Sequence, residues 1–83
     1  MIKFLFFAQL AEQAGIDEIE LEFDEGKTPR DYLEPMRSLT TSKVVDTLEQ
    51  DVVMVSINQI FASWDDELHD GDVVGLLPPF SGG

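Results

Sequence analysis

Two apolar runs, Ile2 to Ala8 and Val73 to Leu77, sit near opposite ends of this 83-residue chain and constrain its fold more than any other feature. The second carries no charge and the first only Lys3, in a chain where 27% of residues are charged. A strand that is apolar on both faces belongs in the middle of a sheet, not at its edge. Both runs are therefore predicted to lie at the centre of one sheet, and the chain between them must supply the flanking strands and a cover. In the first run Ile2, Phe4 and Phe6 share one face, and Leu5 and Phe7 the other.

The intervening chain reads in short elements. Gln9 to Ala14 is a helical turn stopped by Gly15. Asp17 to Asp24 alternates strictly, with Ile19, Leu21 and Phe23 opposite Glu18, Glu20, Glu22 and Asp24. That pattern is a half-buried edge strand protected by charge. After a turn at Glu25-Gly26-Lys27, Thr28-Pro29-Arg30-Asp31 opens a helix with Thr28 as cap and Pro29 at the first helical position. Tyr32, Leu33, Met36 and Leu39 follow at helical spacing, but Pro35 removes a donor, so the helix is predicted to be short, kinked or broken. Ser42 is the expected cap of a second short helix carrying Val44, Val45 and Leu48. Val52 to Ile57, Asn58-Gln59 and Ile60 to Ser63 read as a hairpin, because Asn accepts positive φ at the turn. Trp64 to Asp72 is an acidic loop with a tight turn at Asp70-Gly71.

The fold class is therefore α+β, a mixed five-stranded sheet with helices on one face and an extended tail. Residues 1–77 form the domain and residues 78–83 the tail. Because a single helical layer covers one face, some apolar side chains on the other face, with Leu5, Phe7, Val74 and Leu76 as candidates, are expected to be left for a partner.

Composition narrows the function. Seventeen acidic residues against five basic ones leave a formal net charge of −12. Phosphate neutralisation needs clustered Lys and Arg, so nucleic acid is excluded as a partner, and anionic membrane surfaces equally. Such a chain is drawn toward basic protein surfaces. No cysteine is present, so no disulfide or thiolate site exists. Met1 to Leu10 is too short an apolar stretch for a leader, and Gln9 and Glu12 break its continuation. No stretch reaches membrane-spanning length, and a cytoplasmic protein is expected.

The interior offers no catalytic constellation. Gly26-Lys27-Thr28 imitates the end of a phosphate-binding loop, but Leu21 stands where its first glycine belongs and Glu22, Asp24 and Glu25 repel phosphate. Asp66 to Asp72 fails as a calcium loop, since Leu68 and Leu77 fall where oxygen ligands are required. His69, the single histidine, has no second His or Cys with which to hold zinc, so no metal site is expected. Ser81 lacks an activating base. Trp64 is either an interface anchor or a packing residue.

What remains is the ending Pro78-Pro79-Phe80-Ser81-Gly82-Gly83. Two terminal glycines carry the chain carboxylate on a tether without Cβ atoms, thin enough for a narrow pocket. Pro78 and Pro79 favour an extended exit from the domain. Phe80 to Gly83, fully extended, span roughly 13 Å. The Gly83 carboxylate is the one reactive group in view.

With this order of strands and helices, the chain resembles the ubiquitin-like β-grasp sulfur carriers, most closely those of the molybdopterin synthase small-subunit type. The resemblance runs over essentially the whole chain. It is carried by Met1-Ile2-Lys3-Phe4-Leu5-Phe6-Phe7-Ala8, by Val55-Ser56-Ile57-Asn58-Gln59, and by the block from Leu68-His69-Asp70-Gly71-Asp72 through Pro78-Pro79 to Gly82-Gly83. Carriers of thiazole pathways share the fold and the two glycines but are usually shorter and lack the Pro-Pro spacer. The middle departs from the family pattern, which has a continuous helix where this chain has Pro35 and the run Ser38 to Ser42.

The resemblance implies a β-grasp fold and a reaction cycle at Gly83. A ubiquitin-activating-type adenylyltransferase would use ATP and Mg²⁺ to turn the Gly83 carboxylate into an acyl-adenylate, and sulfur from a persulfide donor would convert that to a thiocarboxylate. The large synthase subunit would then receive Pro78, Pro79, Phe80, Ser81, Gly82 and Gly83, and the sulfur would pass to cyclic pyranopterin monophosphate. The assembly implied is two small and two large subunits. The carrier itself binds no cofactor, and the catalytic residues belong to its partners. The alternatives are a carrier for thiazole or transfer-RNA thiolation, a modifier joined through Gly83 to lysine, and an interaction domain with an inert tail.

Overall fold

The computed structural model describes residues 1–50 and 52–79. Its elements are β1 (Ile2–Phe6), α1 (Gln9–Ala14), β2 (Glu18–Leu21), a 3₁₀ turn (Pro29–Tyr32) running into α2 (Leu33–Arg37), α3 (Ser42–Leu48), β3 (Met54–Ile57), β4 (Ile60–Ala62) and β5 (Val73–Leu77). The five strands form one mixed sheet in the order β2-β1-β5-β3-β4. The two apolar runs thus lie side by side, parallel, with β5 at the centre, and the acidic strand β2 forms one edge.

Register decides which face each side chain takes. Phe4 pairs with Val74 and Phe6 with Leu76, while Val55 of β3 pairs with Leu76. These residues and Ile2 therefore share the face covered by the helical layer. Leu10 and Ala14 of α1, Leu33 and Met36 of α2, and Val44, Val45 and Leu48 of α3 close the core, joined by Tyr32, Val53 and Leu68. Phe4 and Tyr32 pack with ring centroids 5.5 Å apart and planes tilted by 50°, an arrangement that aromatic quadrupoles favour.

Several boundaries differ from the sequence expectation for identifiable reasons. The alternating stretch from Asp17 to Asp24 is a strand only over Glu18–Leu21. Its partner β1 starts at Ile2, opposite Leu21, so the ladder runs out there. Beyond it the Tyr32 hydroxyl donates to Glu22 O and accepts from Asp24 N–H, both at 3.0 Å. β1 ends at Phe6 instead of Ala8 because the Phe7 carbonyl already accepts from Leu10 N–H and starts α1. β4 stops at Ala62, where Ser63 N–H turns to the Asp66 carboxylate at 2.9 Å.

The helical region is broken into a 3₁₀ turn and two short helices. Pro35 is the third residue of α2, inside the first turn, where its missing N–H removes no bond of that helix. Before it, the Asp31 carboxylate accepts from both the N–H and the hydroxyl of Thr28. Leu39 lies past the end of α2 and is exposed, so it is not part of the buried stripe. Thr41, not Ser42, caps α3. Thr41 is extended, and its Oγ1 accepts from Val44 N–H at 3.1 Å while donating to Gln13 O at 2.8 Å. One hydroxyl therefore caps α3 and ties it to α1.

Among the described residues no helix is long and apolar enough to cross a membrane.

Candidate functional site

Pro78 and Pro79 follow directly on the central strand. The sequence-predicted tail residues Phe80, Ser81, Gly82 and Gly83 lie outside the described residues. What the structure defines is the end of β5 and the two prolines after it. Leu77, the last residue of β5, pairs with Met54 of β3 on one side. On the other side Phe7 N–H donates to Leu76 O at 3.2 Å.

The predicted outer patch is half right. Leu5 and Phe7 do face away from the helices, Leu5 partly and Phe7 43% exposed. Val74 and Leu76 do not: both are fully buried in the core. The parallel register with Phe4 and Phe6 turns them inward, and with them the parity of the whole strand. The outward residues of β5 are Val73, Gly75 and Leu77, each only partly accessible or closed over.

A single cross-strand row organises this face. Glu18, Leu5, Gly75, Ser56 and Phe61 lie opposite one another in turn across β2, β1, β5, β3 and β4. The middle of the row is small and its flanks are large, so the sheet surface dips. The dip is a groove of about 330 Å³ lined by Leu5, Phe7, Ser56, Asn58, Gln59, Val73 and Gly75. Phe61, 67% exposed, extends the apolar surface onto β4. Sequence reading missed Gly75, Ser56 and Phe61. Two signals pointed to them: a glycine in the middle of an apolar strand, and the absence of any charged residue from Val52 to Trp64.

One end of the groove is clamped by polar bonds. Asn58 and Gln59 both have positive φ, 53° and 70°, and make the two-residue turn between Ile57 and Ile60. Asn58 N–H donates to Val73 O at 2.8 Å, and Asn58 Oδ1 accepts from Val73 N–H at 3.0 Å. Its Nδ2 donates to Asp72 Oδ1 at 2.9 Å, while Asp72 Oδ2 accepts from His69 N–H at 2.8 Å. The hairpin turn is thereby fastened to the start of β5.

Charge is arranged around the groove, not in it. Lys3 on the same face pairs with Glu18 at 3.4 Å. The carboxyls displaced from their ordinary range lie in loops and caps. A backbone bond from Thr28 holds Asp31 low, the Arg30 guanidinium holds Asp65 low, and the N-terminal ammonium, 2.6 Å away, holds Asp70 low. These causes are structural. Trp64 is a packing residue: its Nε1 donates to Val53 O at 3.0 Å and its ring rests against the core. His69 is exposed beside the Asp70-Gly71 turn, where Gly71 has φ 90°. Among the described residues no group of three or more His, Cys, Asp or Glu is placed to hold a metal.

Residues 4–83 match the model of the ThiS family. The chain belongs to that family. It is 34% identical over 85 aligned residues, covering the whole of both chains, to the molybdopterin synthase sulfur carrier subunit of Escherichia coli. Among solved structures it resembles SAMP1 from Haloferax volcanii, with a TM-score of 0.80 and 26% identity over 99% of this chain and 98% of that one. It also resembles the putative molybdopterin converting factor subunit 1 from Pyrococcus furiosus, with a TM-score of 0.71 and 35% identity over 95% and 97%. The β-grasp fold expected from the sequence is the fold of this family. The family match extends through Gly83, so the tail is included in the likeness.

Proposed function

We propose that this chain is a sulfur carrier subunit of molybdopterin synthase and that Gly83 is its working residue. The observation that carries this reading is the full-length likeness to carrier subunits, reaching through the Gly-Gly ending of a chain whose central strand leads into Pro78 and Pro79. In this reading a Gly83 carboxylate oxygen attacks the α-phosphorus of ATP on an adenylating partner and displaces pyrophosphate. A persulfide sulfur then attacks the acyl carbon and AMP leaves, and a thiol of the sulfur-donating partner attacks the remaining S–S bond, releasing the thiocarboxylate and leaving a disulfide on that partner. The large subunit accepts the tail and transfers sulfur to cyclic pyranopterin monophosphate. Two charged carriers supply the two dithiolene sulfurs, which fits an assembly of two small and two large subunits.

The division of labour follows from the chain's own chemistry. Pro78 and Pro79 limit the conformations lost when the tail docks, and Gly82 and Gly83 let it enter a narrow channel. The outer face around Leu5, Phe7, Gly75 and Phe61 presents apolar surface to partners, while the surplus carboxylates attract basic ones. ATP and Mg²⁺ belong to the adenylating partner, catalytic side chains to the large subunit, and the cytoplasm is the compartment in which all of them meet.

The likeness to SAMP1 favours one second reading, a modifier that forms an isopeptide bond to lysine. Both readings share the adenylate and differ in what attacks it. The test is intact mass after incubation with an adenylating enzyme, ATP and a sulfur donor, with a Gly83-deleted chain as control. A sulfur-for-oxygen gain that vanishes in the control supports the carrier. Attachment to lysine of another protein without that gain supports the modifier. Neither product, with an enzyme active on a known carrier, overturns both.

A further inference from the structure

The two edges of the sheet are built differently. β2 carries Glu18 and Glu20, both exposed, and Lys3 of β1 pairs with Glu18. Charge on an edge strand keeps other strands away. β4, the strand at the opposite edge, is Ile60-Phe61-Ala62 and carries none. The uncharged stretch runs from Val52 to Trp64, in a chain of net charge −12. Ile60 and Phe61, 72% and 67% exposed, are the most exposed large apolar side chains among the described residues.

Hydrogen bonding leaves this edge open. Asn58 N–H donates to Val73 O, so Ser56 and Asn58 point their backbone groups at β5, while Val55 and Ile57 point theirs at β4. Val55 pairs with Ala62 and Ile57 with Ile60. Phe61, opposite Ser56, therefore turns its N–H and C=O away from β3. One donor and one acceptor at the centre of β4 face outward, and the side chains of Phe61 and Ile60 stand on the two faces beside them.

We infer that β4 pairs antiparallel with β4 of a second copy of this chain, about a two-fold axis through Phe61, joining two sheets into one. The register is self-complementary. Phe61 N–H donates to Phe61 O of the second copy, and the return bond is identical. The two Phe61 rings become cross-strand neighbours on the outer face, and the large Ile60 meets the small Ala62 on the other. Antiparallel pairing also brings the acidic loop after Ala62, with Asp65 and Asp66, toward the neutral Asn58-Gln59 turn of the second copy instead of toward its counterpart. A basic partner would be drawn to carboxylates at the contact. Two copies of an acidic chain need a contact without them, and β4 supplies it. A three-residue edge buries less than the roughly 1,200 Å² of a stable interface, so the dimer is weak, with a Kd expected at about 0.1–1 mM, and salt strengthens it by screening the repulsion between copies.

Cross-linking tests the register. The chain has no cysteine, so bridges form only where cysteines are introduced. In the inferred ladder Ile60 and Ala62 of the second copy are a non-hydrogen-bonded pair with Cα atoms about 4.5 Å apart, within disulfide range. Ile60→Cys and Ala62→Cys chains are mixed in equal amounts and equilibrated in a glutathione redox buffer, and intact mass resolves the three dimers. Collision without docking gives about twice as much mixed dimer as either homodimer, whereas the inferred pairing is expected to give about tenfold as much or more.

Sedimentation equilibrium over about 0.05 to 1 mM chain, in about 0.05 and 1 M salt, tests the dimer itself. The wild-type chain is expected to associate, and more so at high salt. Phe61→Lys is expected to weaken association about tenfold or more, although it lowers the net negative charge, because the aromatic pair is lost and two ammonium groups meet at the axis. Phe7→Lys, in the groove, is expected to leave association unchanged. A wild-type chain that stays monomeric at the highest concentration and salt overturns the inference and leaves the edge to a strand of another protein. Association that survives Phe61→Lys, or that Phe7→Lys abolishes, overturns it as well, as does a collisional yield of mixed disulfide.

Discussion

Ser56 and Gly75 stand directly opposite each other on β3 and β5, and a methyl group on Gly75 would meet Ser56 Oγ at 2.5 Å. Gly75→Ala is therefore expected to destabilise the chain by about 1–3 kcal/mol through overpacking. Adding Ser56→Ala removes the offending oxygen and leaves the Ser56 Cβ at 3.9 Å, an ordinary contact. The double variant is expected to recover most of the loss, with the Phe7 contact accounting for the rest. Urea unfolding of the two single variants and the double variant measures this coupling.

The two faces of the sheet separate stability from docking. Val74 and Leu76 are fully buried, so Leu76→Ala is expected to cost about 2–5 kcal/mol and Val74→Ala somewhat less. Phe7→Ala and Phe61→Ala remove exposed side chains and are expected to shift stability far less, while weakening adenylation of Gly83. Melting curves alongside ATP–pyrophosphate exchange kinetics separate the two classes. A Phe61→Ala chain that loses stability but keeps its KM contradicts the assignment of the outer face.

Asn58 fastens the hairpin turn to β5 through its backbone and both side-chain atoms while holding φ at 53°. Asn58→Ala loses the side-chain bonds and places an unfavourable residue at positive φ, an expected cost of about 2 kcal/mol. Asn58→Gly restores the conformation but not the bonds and is expected to fall between the two. Denaturant midpoints order the three chains, and Gly equal to Ala would show that the bonds alone matter.

Acid and salt act on the carboxylates in opposite directions. Asp31, Asp65 and Asp70 titrate below their ordinary value in the folded chain, through the Thr28 backbone bond, Arg30 and the N-terminal ammonium respectively. Their contribution is present above the unfolded pKa of about 3.8 and is lost as pH falls through the lowered folded values. Above that window the net charge of −12 works against the compact state, so added salt is expected to raise the melting temperature near pH 7. Asp31→Asn is expected to shallow the acid limb. Melting temperatures across about pH 2 to 7 at two salt concentrations test both signs.

Much of this molecule was legible without coordinates. The charge-free run of β5 and the apolar β1 marked the sheet centre, because a strand buried on both faces cannot sit at an edge. The acidic alternation of β2 marked the edge, Asn58-Gln59 the hairpin turn, and Pro35 the broken helix. The Gly83 carboxylate is proposed by elimination among residue types, which needs no structure. Capping was less legible, since Thr41 and Ser42 offer the same hydroxyl and only the extended backbone at Thr41 makes it the cap.

The faces of β5 were decided by tertiary structure. Val73, Gly75 and Leu77 on one side and Val74 and Leu76 on the other are both apolar sets, so alternation carries no sign. The parallel register with β1 chose between them by setting Val74 beside Phe4 and Leu76 beside Phe6, under the helices. That choice leaves Gly75 outward beneath Phe7, and the groove exists because of it. The sequence by itself determined which strands are central and singled out the Gly83 carboxylate as the proposed reactive group. Register, which joins residues at opposite ends of the chain, determined the outer surface of the sheet.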